Sequence, residues 1–286
     1  MKIKAICASL LAVIGLLALP ACTRDKNKGN TAGEGVMQEQ TQTPSLPEEA
    51  NPPEANEPGE VEIPVQPEIP AQPKIERVQY ITPTADGVNI RAGAGTGYKS
   101  LGTAERNTLY ALSGSSGGWI ETRYKNGASY ISAAYCSVVQ MDKSENQAVE
   151  RVIEEGCKYL GVPYVYGAVR YHDGYGNKLS GFTPSAFDCS SLMQYIFKTG
   201  AGVNLQVNTR TQIYQGKTVK GGGIERGDLL FFTNASRKNL SGIERVGHVA
   251  LYLGDNYILH TASDYAKIEQ ISPARWGYFI QAQRIL

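Results

Sequence analysis

The run Phe187-Asp188-Cys189-Ser190-Ser191-Leu192-Met193 decides how this 286-residue chain is read. Asp188 suits the start of a helix, because its carboxylate can accept from backbone N–H groups that lack an intrahelical partner. Cys189 then falls in the first turn, where the helix dipole favours thiolate over thiol. The open N–H groups at the same end can also hold a developing oxyanion. One local structure thus offers an activated nucleophile and part of an oxyanion site. A buried structural thiol at a helix start would read the same way, so the assignment needs a base from elsewhere.

The chain holds three histidines. His248 and His260 flank a tight hairpin at Gly254-Asp255-Asn256. With Leu253 opposite Tyr257, side-chain alternation puts His248, Ala250 and Tyr252 on one face with Ile258, His260 and Ala262. The other face collects Val249, Leu251, Leu253 and Leu259 as a core surface. His248 then lies opposite Ala262 and diagonal to His260, within interacting range. A nucleophile, a base and a group orienting the base form the general triad arrangement. Cys189 is the expected nucleophile, His248 the expected proton carrier and His260 the orienting group. His172, in a Gly-rich loop, reads as a solvated residue. This chemistry calls for no cofactor, and two histidines with one cysteine make a poor metal set.

Outward from these residues, a helix is expected over 145–160, with Val149, Val152, Ile153, Cys157 and Leu160 on one side. A second helix follows Asp188, with Leu192, Tyr195 and Ile196 at helical spacing. Strands are expected over 228–232, 246–253, 257–262 and 279–285. Residues 146–286 therefore read as an α+β domain. Upstream, 76–141 reads as a small all-β unit, with strands at 78–81, 88–91, 109–112, 119–124 and 129–131 between Gly-rich turns. Trp119, beside the Gly117-Gly118 turn, suits either a core or a ligand platform.

The N-terminus carries Lys2 and Lys4, then an apolar run from Ala5 to Leu19, closed by Leu19-Pro20-Ala21-Cys22. That is the layout of a secretory signal over residues 1–21. Residues 22–75 are rich in Pro and Glu and poor in large apolar side chains, the composition of a disordered tether. Net charge is +1, which points to no particular partner, and no basic arm suggests nucleic acid. Residues 23–75 carry four Lys/Arg against ten Asp/Glu, whereas 146–286 carry fifteen against eleven. Once Cys7 is removed and Cys22 modified, Cys136, Cys157 and Cys189 remain. That odd number leaves a free thiol, and Cys136 and Cys157 read as unpaired structural thiols.

Four segments occur in order: Tyr164-Val165-Tyr166-Gly167, Phe187-Asp188-Cys189-Ser190-Ser191, Arg226-Gly227-Asp228-Leu229-Leu230-Phe231-Phe232 and Gly247-His248-Val249-Ala250-Leu251-Tyr252-Leu253-Gly254. Together they resemble the NlpC-type cell-wall peptidases, a papain-like family, over almost all of 146–286. Gly87-Val88-Asn89-Ile90-Arg91-Ala92-Gly93, Gly117-Gly118-Trp119-Ile120 and Ala128-Ser129-Tyr130-Ile131 resemble the bacterial SH3-like domain. Cys22 sits as the lipidated residue does in bacterial lipoprotein signals. These resemblances imply a papain-like catalytic domain preceded by a small SH3-like β-barrel and a disordered tether. They imply hydrolysis of the D-γ-glutamyl–diamino-acid bond in peptidoglycan stem peptides, with the roles above for Cys189, His248 and His260. Tyr164 would offer its hydroxyl on the substrate side, and Asp188 and Ser190 would help bind a free amino end. A monomer held at the cell surface or periplasmic face by a lipid on Cys22 is implied. An amidase of the same Cys/His chemistry and a non-catalytic wall-binding lipoprotein are the alternatives. Tyr166 stands where many members carry Trp, and Ser191 where Gly is common. The loop from Val169 to Ala186 is longer than in compact members and is expected to shape the cleft and set the preferred bond.

Overall fold

In the computed structural model, alternating apolar residues build three antiparallel sheets, and one helix carries the Phe187–Met193 run beneath the largest of them. The structure describes residues 76–220 and 222–286. The signal over 1–21, the lipidation site Cys22 and the tether over 22–75 lie outside the described residues.

Eight strands make the first unit: β1 (Arg77–Pro83), β2 (Val88–Arg91), β3 (Ser100–Ala104), β4 (Tyr110–Ala111), β5 (Gly114–Ser116), β6 (Trp119–Tyr124), β7 (Gly127–Ser132) and β8 (Cys136–Asp142). They form sheets of order β4-β1-β8 and β3-β2-β7-β6-β5. Ile81, Ile90, Ile120 and Ile131 fill the interior as the inward half of the alternation, and Tyr80, on the opposite face of β1, is buried as well. Strands β3, β5 and β8 were not expected from the sequence. The first two are rich in Gly and Ser, and β8 is mostly exposed on one face. Lys125 and Asn126 take φ of 51° and 62°, the two-residue turn that matches strand twist.

The second unit begins with helix α1 (Gln147–Lys158), capped by the side chain of Asn146, which accepts from the Ala148 amide. Helix α2 (Cys189–Ala201) packs against α1, and short helices α3 (Thr209–Gln212) and α4 (Pro273–Trp276) follow in loops. The strands are β9 (Lys217–Val219), β10 (Leu229–Phe232), β11 (His248–Gly254), β12 (Tyr257–Ala262), β13 (Tyr265–Gln270) and β14 (Phe279–Arg284). Their order is β13-β12-β11-β10-β14-β9. One face meets the helices through Leu229, Phe231, Val249, Leu251 and Leu259. The other buries Leu230, Phe232, Ala250, Ile258 and Ala282 beneath Trp276 and Phe279. Mixed helix and strand content, with the two long helices α1 and α2 on one side of the sheet, is the α+β arrangement.

The expected Leu253–Tyr257 pairing is displaced by a bulge: Gly254 lies opposite Tyr257, while Tyr252↔Ile258 and Leu251↔Leu259 keep the anticipated register. Leu253 leaves the ladder, and its carbonyl accepts from Nη1 of Arg226 at 2.6 Å. The same guanidinium donates to both oxygens of Glu150, at 2.6 and 2.9 Å, and to the Tyr80 hydroxyl of the barrel at 2.9 Å. Barrel and helical layer share one continuous core. Backbone contacts add to it. The Lys125 and Asn126 amides donate to the carbonyls of Leu160 and Lys158 at the end of α1, at 2.8 and 2.7 Å. These are helix-end acceptors that would otherwise need water. Gly161, at φ +81°, follows directly, and a Cβ there would sit 2.1 Å from the Tyr124 ring.

Candidate active site

The Asp188 carboxylate accepts from the Ser191 amide at 2.8 Å, and the Ser191 hydroxyl accepts from the Asp188 amide at 2.9 Å. This reciprocal cap starts α2 at Cys189. Both carboxylate oxygens have further partners: Ser190 Oγ at 3.0 Å on Oδ1, the Gly167 amide at 3.2 Å on Oδ2, and Nη1 of Arg170 at 2.9 Å. Asp188 and Ser190 are both buried. Their side chains are held inside the protein and do not line the cavity that Cys189 opens onto.

That cavity, of about 400 Å³, is walled by Tyr164, Cys189, Phe232, His248, Ala262 and Arg275, among others. Cys189 reaches it from the first turn of α2 and His248 from the start of β11. Nε2 of His248 lies 3.0 Å from Nδ1 of His260, and Nε2 of His260 lies 2.9 Å from Oε1 of Glu269. With Nε2 of His248 engaged, Nδ1 is the ring nitrogen left for the space shared with Cys189. Tyr164 is half-buried on the same wall, and burial followed by Cys189 and Asp188 raises the pKa of its hydroxyl.

The electrostatics differ from the expectation drawn from a helix start alone. Burial pushes the Cys189 thiol up to about 12, and the Asp188 carboxylate pushes the same way. The amides of Val249 and Ser190 and the Arg170 guanidinium oppose them without winning. The residue that caps the helix therefore offsets the dipole at the sulfur. Burial, then His260 and Arg275, hold His248 well below 6.5. The pair thus rests as thiol and neutral imidazole.

Two further expectations are corrected. His172 is fully buried rather than solvated. Its Nδ1 accepts from the Gly174 amide at 3.0 Å, and its carbonyl accepts from Gln194 of α2 at 3.1 Å. The loop from Val169 to Ala186 contributes no residue to the cavity wall. It folds onto α2 instead, with Tyr171 and Phe182 against Tyr195 at ring separations of 5.2 and 5.1 Å. Cys136 and Cys157 are unpaired. Trp119 is half-buried and borders a separate cavity of about 530 Å³ with Arg91 and Tyr135. Glu269 escaped notice in the sequence, because nothing local marks one carboxylate in a charged strand as a histidine partner. Among the described residues, no helix is long and apolar enough to cross a membrane.

The model of the NlpC/P60 family matches residues 161–284, and that of the bacterial SH3 domain matches 86–137. The chain is 32% identical over 161 residues to the gamma-DL-glutamyl hydrolase of Bacillus subtilis, covering 56% of this chain and 34% of that protein. It is 32% identical over 149 residues to the peptidoglycan endopeptidase RipB of Mycobacterium tuberculosis, covering 52% and 57%. The solved structure of RipB from that organism aligns at 30% identity and a TM-score of 0.38, covering 49% of this chain and 65% of the other. The chain spans about a third to somewhat over half the length of these curated relatives. Residues 161–284 are therefore an NlpC/P60 family domain with a papain-like fold, and residues 86–137 are a bacterial SH3 domain ahead of it.

Proposed function

We propose that the domain over 146–286 is a cysteine peptidase that hydrolyses an amide bond in the peptide part of bacterial cell wall. The observation that carries this reading is the Cys189–His248 cavity backed by the 3.0 Å contact between His248 and His260. Cys189 gives its proton to Nδ1 of His248, and the sulfur attacks the amide carbonyl. The C–N bond breaks as His248 returns that proton to the leaving amine. Water, deprotonated by His248, then cleaves the thioester and restores the thiol. The Cys189 amide at the start of α2 and the Tyr164 hydroxyl are the donors placed to hold the oxyanion. His260 keeps the His248 ring in position.

The bond proposed is that between D-γ-glutamate and the diamino acid of the stem peptide. One relative supports it: a gamma-D-glutamyl-L-lysine dipeptidyl-peptidase of Bacillus subtilis is 33% identical over 120 residues, covering 42% of this chain and 34% of that protein. Tyr164 faces the substrate. Asp188 and Ser190 stand behind the nucleophile, where an amino end would have to compete with Arg170 for the carboxylate. The wider arrangement proposed is a signal over 1–21, a lipid on Cys22, a tether over 22–75, the barrel over 76–141 and the peptidase over 146–286. It places the monomeric enzyme outside the cytoplasm, at the membrane facing the wall. Digestion of purified muropeptides followed by mass spectrometry tests the bond. A new amino end on the diamino acid supports the proposal. A stem peptide released at its L-alanine end makes the domain an amidase, and intact muropeptides leave a binding module.

A further inference from the structure

His260 touches two groups of opposite demand, one at each ring nitrogen. Its Nε2 lies 2.9 Å from Oε1 of Glu269 on β13, and its Nδ1 lies 3.0 Å from Nε2 of His248. Partial burial pushes the Glu269 carboxyl up, but His260, Arg275 and Lys267 outweigh that and hold it down at about 2. At neutral pH Glu269 is therefore an anion, and a carboxylate can only accept. The proton of neutral His260 then belongs on Nε2, so its Nδ1 must accept. The hydrogen of neutral His248 in turn belongs on Nε2, which leaves Nδ1 as a free lone pair.

We propose that Glu269 is a positioning residue of this site, fixing the tautomer of His260 and through it leaving Nδ1 of His248 free to take the Cys189 proton. The base reading of His248 under the proposed function is what gives this tautomer its use. The charged neighbours agree with the assignment. Arg275 of α4 donates to the same Oε1 at 2.9 Å, and Lys267 of β13 stands 4.0 Å from Oε2. Both favour the carboxylate. His260 and Arg275 are the groups that press on His248 itself. With burial, they keep its ring neutral.

The barrel takes part in holding Glu269. Strand β13 is an edge of its sheet, and the barrel covers that edge. The Leu109 amide donates to the Ile268 carbonyl at 3.0 Å, Thr108 bridges Glu269, and Glu105 lies 3.9 Å from Lys267. An unpaired edge would leave the Glu269 backbone free to shift. The SH3 domain thus supports the proton relay through its 105–109 segment, a role separate from any ligand it binds.

The test is nitrogen NMR of the full chain labelled on histidine, which carries three such residues and so gives an assignable spectrum. The expected result at neutral pH is the Nε2–H form for both His248 and His260. In Glu269→Leu the two tautomers of His260 should mix. The value of kcat should fall about tenfold to a hundredfold, the size of effect known for carboxylates that orient metal-bound histidines through the second ring nitrogen. KM should change little, and the acid limb should move to lower pH, because losing the anion makes both rings harder to protonate. Glu269→Gln keeps an acceptor oxygen and should restore the tautomers and most of the rate. Finding the hydrogen of His248 on Nδ1 overturns the proposal, as do tautomers unchanged by Glu269→Leu. Should that variant not fold, the wild-type tautomers still decide. Hydrolysis surviving Cys189→Ala would sink the catalytic reading instead and leave the tautomer result standing.

Discussion

Arg226 offers the most quantitative test of how barrel and peptidase domain are joined. Its side chain is only 6% exposed, and it holds Glu150 by two hydrogen bonds, the Leu253 carbonyl by one and the Tyr80 hydroxyl by one. Arg226→Met keeps much of the volume and removes all four. The Glu150 carboxylate, 13% exposed, is then left without its cation. Breaking a buried pair in this way costs about 3–5 kcal/mol. For a unit of this size each kcal/mol lowers Tm by about 2–4 °C, so thermal unfolding should shift down by roughly 6–20 °C. Adding Glu150→Gln removes the stranded charge, and the double variant should regain part of the loss. The coupling read from that cycle should exceed about 1 kcal/mol. A loss below about 1 kcal/mol in the single variant, or strict additivity in the double, would show that water takes over the role of the guanidinium and refute the argument.

Three other outcomes follow from the same contacts. The neutral thiol–imidazole pair should persist from below pH 6.5 towards the Cys189 value of about 12, so kcat/KM should be flat across neutral pH with its acid limb below 6.5; an acid limb centred at 7 or above would contradict this. All three histidines have folded pKa values pushed below 6.5, chiefly by burial. The unfolded chain therefore takes up protons first as pH falls below about 6.5. Glu269, held down at about 2 against an ordinary 4.5, acts in the same direction below about pH 4.5. Stability should thus drop progressively between pH 6.5 and 3, and denaturant titrations showing constant stability over that window would count against the assignments. Gly161→Ala combines a φ of +81° with a Cβ 2.1 Å from the Tyr124 ring. Its expected cost is about 2–4 kcal/mol, strain added to overpacking, and chemical denaturation giving less than about 1 kcal/mol would mean the ring moves aside freely.

The parts legible in the sequence were those set by local chemistry or by strand alternation. Asp188 announces its helix because an N-cap needs only nearby backbone amides. His248 and His260 could be placed on one face because side chains alternate. The bulge at Leu253 falls between them and the turn, so it displaces Leu253 and leaves their pairing alone. Strand β13 was missed because Lys267 and Glu269 give it the look of a solvated segment. Its partners are a neighbouring strand and a barrel turn more than 150 residues away in the chain. Glu269 was hidden with it, because its contact with His260 nine residues earlier follows only from the pairing of β13 with β12. His172 looked solvated from its glycines, yet Gly174 and Gly176 let the loop close against the side chains of Gln206 and Asn204. The Cys189 thiol was misjudged because the helix-start argument leaves out burial and the capping charge, and both are tertiary facts.

Cys189 as the nucleophile of a wall-peptide hydrolase is the central assignment, and one measurement addresses it directly. Full-length wild type and Cys189→Ala are incubated with purified muropeptides, and release of the diamino-acid amino end is followed over time. The predicted result is steady release by the wild type and none by a variant whose Tm and muropeptide binding are preserved. Release by Cys189→Ala at a rate near that of the wild type would contradict the account.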